Sequence, residues 1–178
     1  MIKKIILILC MFSILPSYGE TILTGGIDYN VNTAREELLN TPVKRFNPHT
    51  AALNITDKNN QENSSYFLQG NVKLKDRTLA FFSDSTYALM YNSNQYQVFY
   101  YSKNGKLMHI EIKDGLNYPY KSYKYTLKGE LVSIALRVSR EETFIYATDG
   151  TLIAHWLGKN AYDEKGNVIM RRKYANNI

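Results

Sequence analysis

From Tyr66 onward, short stretches rich in Tyr, Phe, Val, Ile and Thr recur along this chain, with polar residues between the apolar ones and turn-forming residues between the stretches. A period of two puts successive side chains on opposite faces of a strand, so each stretch predicts a β-strand. The expected strands cover 66–74, 78–83, 86–91, 95–101, 106–112, 121–126, 130–138, 142–147, 151–157 and 167–174. Connectors such as Lys75-Asp76-Arg77, Ser83-Asp84-Ser85, Asn92-Ser93-Asn94 and Lys113-Asp114-Gly115 have turn chemistry. Asp and Asn bond their own backbone there, and Gly accepts positive φ. These links are too short for parallel crossovers. The expected fold is mainly β, an antiparallel hairpin meander forming one curved or rolled sheet, with a short N-terminal helix.

The N-terminal part is patterned differently. Lys3 and Lys4 precede an apolar run over 5–15, and Ser17-Tyr18-Gly19 follows Pro16. This reads as a secretory signal peptide over 1–19, cleaved before Glu20. Pro16 ends the run well short of the ~20 residues a membrane span needs. Residues 21–29 alternate weakly and suggest a strand. Thr33 and Glu36 fit a capping box, and a helix is expected through about Asn40, before Thr41-Pro42. The polar stretch 54–65 reads as a surface loop. It holds two glycosylation-type triplets, Asn54-Ile55-Thr56 and Asn63-Ser64-Ser65, which such Asn-rich segments produce by chance. The expected organisation is a leader over 1–19, a strand, helix and loop over 20–65, and a hairpin repeat domain over 66–178, packed as one compact domain.

Four segments align on a tyrosine followed four residues later by glycine: Tyr101 with Gly105, Tyr125 with Gly129, Tyr146 with Gly150, and Tyr162 with Gly166. In each, an aliphatic residue stands two places past the glycine, at Leu107, Leu131, Leu152 and Val168. The tyrosine closes one strand, the glycine turns the chain, and the aliphatic residue opens the next strand. Simple alternation past the glycine then puts Met108, Val132, Ile153 and Ile169 on one face, together with Ile110, Ile134, His155 and Arg171. That face is expected to be the core. The other face carries His109, Ser133, Ala154 and Met170, then Glu111, Ala135, Trp156 and Arg172.

The pattern resembles the YD repeats of the RHS family, best at Tyr162-Asp163-Glu164-Lys165-Gly166-Asn167-Val168-Ile169. It is also similar to the repeats of MORN-like antitoxin-type proteins. The resemblance covers about 101–169. It implies a curved hairpin sheet used for shells, scaffolds or binding, and no catalytic residues come with it.

Composition changes this picture only by exclusion. The one cysteine, Cys10, falls within the expected leader. Thiol catalysis, thiolate metal ligands and disulfides therefore drop out of the exported chain. The formal net charge of +6 falls by the two lysines of the leader, which gives no reason to expect a nucleic-acid partner. No phosphate-binding glycine loop, zinc-type histidine pair or serine elbow is present, so no metal and no cofactor are expected. No membrane span is expected once the leader is cleaved.

His155 fits a half-buried, hydrogen-bonded histidine better than a catalytic base. Tyrosines crowd 96–125, which suits plain strand packing or a recognition surface. The candidate binding residues are Trp156, Tyr118, Tyr120, Tyr123 and His109. The expected function is a secreted, periplasmic or cell-surface, non-enzymatic module that binds a protein or glycan, or serves as a scaffold. Two alternatives are a hydrolase using carboxylates near Glu111 and Asp114, and a structural subunit of a larger envelope assembly.

Overall fold

The computed structural model describes residues 29–43, 46–47 and 55–172. The leader, and all but Tyr29 of the strand expected over 21–29, lie outside these residues. Helices α1 (Val31–Leu39) and α2 (Asn60–Ser65) and a 3-10 turn (Phe67–Gln69) precede the sheet. The sheet contains β1 (Val72–Lys73), β2 (Arg77–Phe81), β3 (Tyr87–Tyr91), β4 (Gln97–Tyr101), β5 (Leu107–Lys113) and β6 (Tyr120–Tyr125). It continues through β7 (Leu131–Arg137), β8 (Glu142–Ala147), β9 (Leu152–Leu157), β10 (Asn160–Tyr162) and β11 (Val168–Arg171). All eleven pair antiparallel in chain order, a curled meander half-barrel.

Several local expectations are corrected. The α1 cap is Asn30, whose side chain accepts from the Asn32 and Thr33 backbone N–H groups while the Thr33 hydroxyl accepts from the Asn30 N–H. The reciprocal box is therefore Asn30 with Thr33, and the helix starts earlier than a Thr33 cap allows. The stretch expected as a loop contains α2, and of the strand expected over 66–74 only Val72–Lys73 is strand, with Tyr66 capping α2 and Phe67–Gln69 forming the 3-10 turn. Asn63 is fully buried, donates to Asp57 Oδ2 at 2.7 Å and accepts from Arg77 Nε at 2.9 Å, so its amide has no room for a glycan. Asn54 lies outside the described residues. Strand β10 escapes the pattern because three residues are too few to show a period.

The repeat turns share one hydrogen-bonding scheme. Ser102, Thr126, Ala147 and Asp163 each donate to the carbonyl four residues on and accept from the glycine three residues on. The four glycines have φ between 72° and 85°, a conformation that costs other residues about 1–2 kcal/mol. A fifth turn follows the same scheme between β2 and β3. Phe82 N–H donates to Thr86 O, Ser85 N–H donates to Phe82 O, and Ser85 takes φ 70°. Phe81 stands in the tyrosine position and Ser85 in the glycine position, which hides this unit from the motif. Turns alternate between the two ends of a meander, so all five lie along one rim of the sheet.

A one-residue bulge sits beside four of these turns. Tyr101 pairs with Leu107, but Tyr100 pairs with His109, which leaves Met108 extra. The same shift leaves Val132, Ile153 and Ile169 extra in the later hairpins. A bulge bends its strand and increases the local twist. Four at one rim coil the sheet until its ends meet, where Phe82 bridges Arg172 and Ser83 N–H donates to Arg171 O at 3.2 Å.

The bulge corrects one column of the predicted faces. Ile110 and Ile134 lie in the core, and His109, Ser133, Ala154 and Met170 lie on the other face, as alternation puts them, but the residues three past the glycine do not join the core. Met108 and Val132 are only partly buried, and Ile153 and Ile169 are 42% and 51% exposed; all four line the inner face. The outer face carries the packed core. One cluster joins Tyr125, Tyr146, Ile134, Leu136 and Phe144 to Ala34 and Leu38 of α1. The other joins Tyr87, Tyr101, Leu107 and Ile110 to Tyr66 and Phe67. Both helices reach repeat turns. Arg35 Nε donates to Gly150 O at 2.9 Å, and the Asn60 amide donates to Lys103 O at 3.2 Å. Buried Asp57 accepts from Tyr87 and Asn63 and so ties the α2 region to β3.

These contacts rank the glycines. A Cβ on Gly105 would lie 2.7 Å from Asn60 Cβ, whereas one on Gly150 would meet only a methyl of half-exposed Leu39 at 3.1 Å. Gly150→Ala is expected to cost about 1–2 kcal/mol, and Gly105→Ala at least about 1 kcal/mol more. Ser85→Gly is expected to stabilise by about 0.5 kcal/mol, because strain relief exceeds the added unfolded-state entropy. Urea denaturation of the three variants checks the order.

Candidate functional site

The inner face lines a partly open cavity of about 410 Å³. Side chains from β4 to β11 reach it, and Phe82, Asp84 and Thr86 of the first turn close one side. Antiparallel pairing fixes which residues point inward. Glu111 opposes Lys124, and Ser122 opposes both Lys113 and Ala135. Lys124 opposes Ser133, and Tyr120 opposes Arg137. Alternation therefore puts His109, Glu111 and Lys113 of β5, Tyr120, Ser122 and Lys124 of β6, and Ser133, Ala135 and Arg137 of β7 on one surface.

Chemistry is distributed unevenly along this surface. Near the glycine-turn rim stand the bulge residues Met108, Val132, Ile153 and Ile169. Trp156, 6% exposed, lies 6.1 Å from the Phe82 ring, with the Arg172 guanidinium 4.4 Å from its centroid. Deeper in, the Tyr100 hydroxyl donates a short hydrogen bond to Glu111, and Lys124 Nζ lies 4.0 Å from the Tyr100 ring centre. Towards the opposite rim come Lys113, whose Nζ is 3.2 Å from Met90 Sδ, and Arg137. Arg137 Nη2 donates to Arg140 O at 3.2 Å, while its buried Nε finds no hydrogen-bond acceptor among the described residues.

Burial shapes the titration of these groups. Desolvation lowers the pKa values of Lys113 and Lys124, with nearby Glu111 pulling the other way. Desolvation first, and Glu111 second, hold the Tyr100 phenol well above its usual range. Desolvation, helped by the Lys124 charge, lowers His109.

The sequence-based candidates separate. Trp156 and His109 share the cavity. Tyr120 is buried on the same face near the far rim, and Tyr118, 44% exposed, stacks on it at 5.6 Å with Arg137 at 6.0 Å. Tyr123 does not join them, because it is 1% exposed in the outer core. The repeat residues Tyr101, Tyr125 and Tyr146 are core as well. Glu111 is inside, whereas Asp114 lies past the end of β5 and accepts from Lys121 N–H at 2.8 Å. His155 is buried on the outer side, stacked on Phe144 and hydrogen-bonded to fully buried Glu142 at 2.8 Å.

Sequence reasoning missed Lys113, Lys124, Arg137, Arg172 and Tyr100 as a group. The signal was available in the repeat columns, which continue eight places past the glycine to Lys113 and Arg137. Among the described residues, no cluster of three or more His, Cys, Asp or Glu is placed to hold a metal, and no helix is long and apolar enough to cross a membrane. Comparison with protein-family models, curated proteins and solved structures finds no match.

Two measurements follow. Trp156 is the only tryptophan, and its emission is expected to be blue-shifted and poorly quenched by iodide; a red, readily quenched emission would place it in solvent. The lowered pKa of His109 means that the unfolded chain binds its proton more readily. That contribution to stability is full above about pH 6.5 and is lost as pH falls through the folded value. Melting curves at about pH 7.5 and about pH 5.5 are expected to differ less for His109→Gln than for the wild type.

Proposed function

We propose that this chain is an exported, non-enzymatic binding module that holds a small ligand inside its curled hairpin sheet. Export rests on the leader pattern of residues 1–19. The observation that carries the binding reading is the cavity, where an aromatic anchor, aliphatic side chains and a few charged groups converge on one partly open concave space. Its volume falls within the ~300–1,000 Å³ range of small-molecule sites, whose mixed lining it shares. Trp156 is too covered to act as an open platform for a protein or glycan. The hydrolase reading is disfavoured, because Glu111 is engaged by Tyr100 and Asp114 by its own hairpin.

An uncharged solvatochromic dye tests this. One saturable site per chain is expected. Ala135→Phe, which fills the cavity, is expected to weaken uptake about tenfold, whereas Leu68→Phe, at a residue 83% exposed, leaves it unchanged. Equal uptake by both variants would remove the interior from the argument.

A further inference from the structure

We infer that the cavity takes a single-chain amphiphile with one carboxylate head, of the fatty-acid kind, aligned with its chain toward the glycine-turn rim and its head toward Arg137. This deepens the binding reading above and rests on it. The interior is polarised along the strands. The bulge residues Met108, Val132 and Ile153 make the turn end aliphatic, whereas Trp156 stands near the other end of β9, where it pairs with Thr143 and Thr143 with Arg137. Moving away from the turns, β6 brings in Lys124, and β5 and β7 then bring in Lys113 and Arg137.

The charge count on this face does not close. Lys124, Arg137 and Arg172 line the cavity against Glu111 and Asp84, and Lys113 stands on the same face beyond that lining. Asp84 is at the exposed rim, where the Thr86 backbone N–H and hydroxyl both donate to it. Glu111 already accepts from Tyr100. His109, with its pKa lowered, contributes little positive charge at neutral pH. Tyr100 and Tyr120, both raised, stay neutral there. Cations gathered in a partly desolvated space repel one another unless an anion joins them. The buried Arg137 Nε–H is a donor aimed at no acceptor among the described residues. A carboxylate is the acceptor a guanidinium binds best, often through two parallel bonds. The chemistry calls for one acidic group with an apolar body behind it. A volume of about 410 Å³ suits one acyl chain better than the two chains of a membrane lipid.

Titrations with decanoate, decanol and inorganic phosphate, read by Trp156 emission and by displacement of the uncharged dye, test this. Decanoate is expected to bind saturably, one per chain, and at least about tenfold tighter than decanol or phosphate. Arg137→Gln is expected to weaken decanoate about tenfold while leaving decanol unchanged. Should Arg137→Gln fail to fold, Lys124→Gln, which also lines the cavity, gives the same comparison. The inference is overturned if decanol matches decanoate, or if both variants bind decanoate as the wild type does. Dye uptake without a preference for decanoate would overturn the acid-binding inference and leave the binding module standing. No uptake of either would overturn both.

Discussion

The structure depends on the pairing of a positive-φ turn with a bulged residue beside it. The turn glycine fixes where the chain reverses, and the bulge fixes how strongly the following strand bends. Four repetitions at one rim convert a flat meander into a roll, with the first turn supplying the surface on which the last strand closes. Without the extra residue, Met108 and its counterparts would alternate onto the outer core, and the interior would lose its aliphatic end. One local irregularity, repeated, creates both the curvature and the lining of the cavity.

Strand existence, hairpin order and the positions of the glycine turns were legible because they rest on short-range chemistry: alternating side chains, Asx turns and residues that tolerate positive φ. Facing was legible beyond the bulges, where Ile110 and Ile134 are core and Glu111, Ala135 and Trp156 lie on the opposite face as alternation puts them, and was lost only beside the turns. A bulge adds one residue without any change in composition, and a single added residue reverses every assignment between it and the turn. Leu107 and Ile110 are both core although three residues apart, and this spacing was the available clue. The fifth turn was hidden by Phe81 and Ser85, which do the work of tyrosine and glycine through similar size and tolerated strain. The candidate site was half legible. Trp156 and His109 stood out as rare residues, whereas Lys124 and Arg137 looked like ordinary solvated strand charges until pairing turned them inward.

The N-terminal helices add the other support. Helix α1 lies across β7, β8 and β9, and the α2 region covers the core under β2 to β5. Both touch repeat turns, so the segment that precedes the sheet braces the rim on which the bulges sit. The cost of burying Asp57 and Arg77 is offset by the amide of Asn63, which bonds to both. Among the described residues, both helices lie on the outer face and none lies on the inner one.

The closure between Phe82 and Arg172 differs from every other strand contact. Elsewhere, neighbouring strands are joined along ladders; here a single bridge and one adjoining backbone bond do the joining. Parting the half-barrel at this small clasp therefore breaks fewer backbone hydrogen bonds than parting the ladders of its wall.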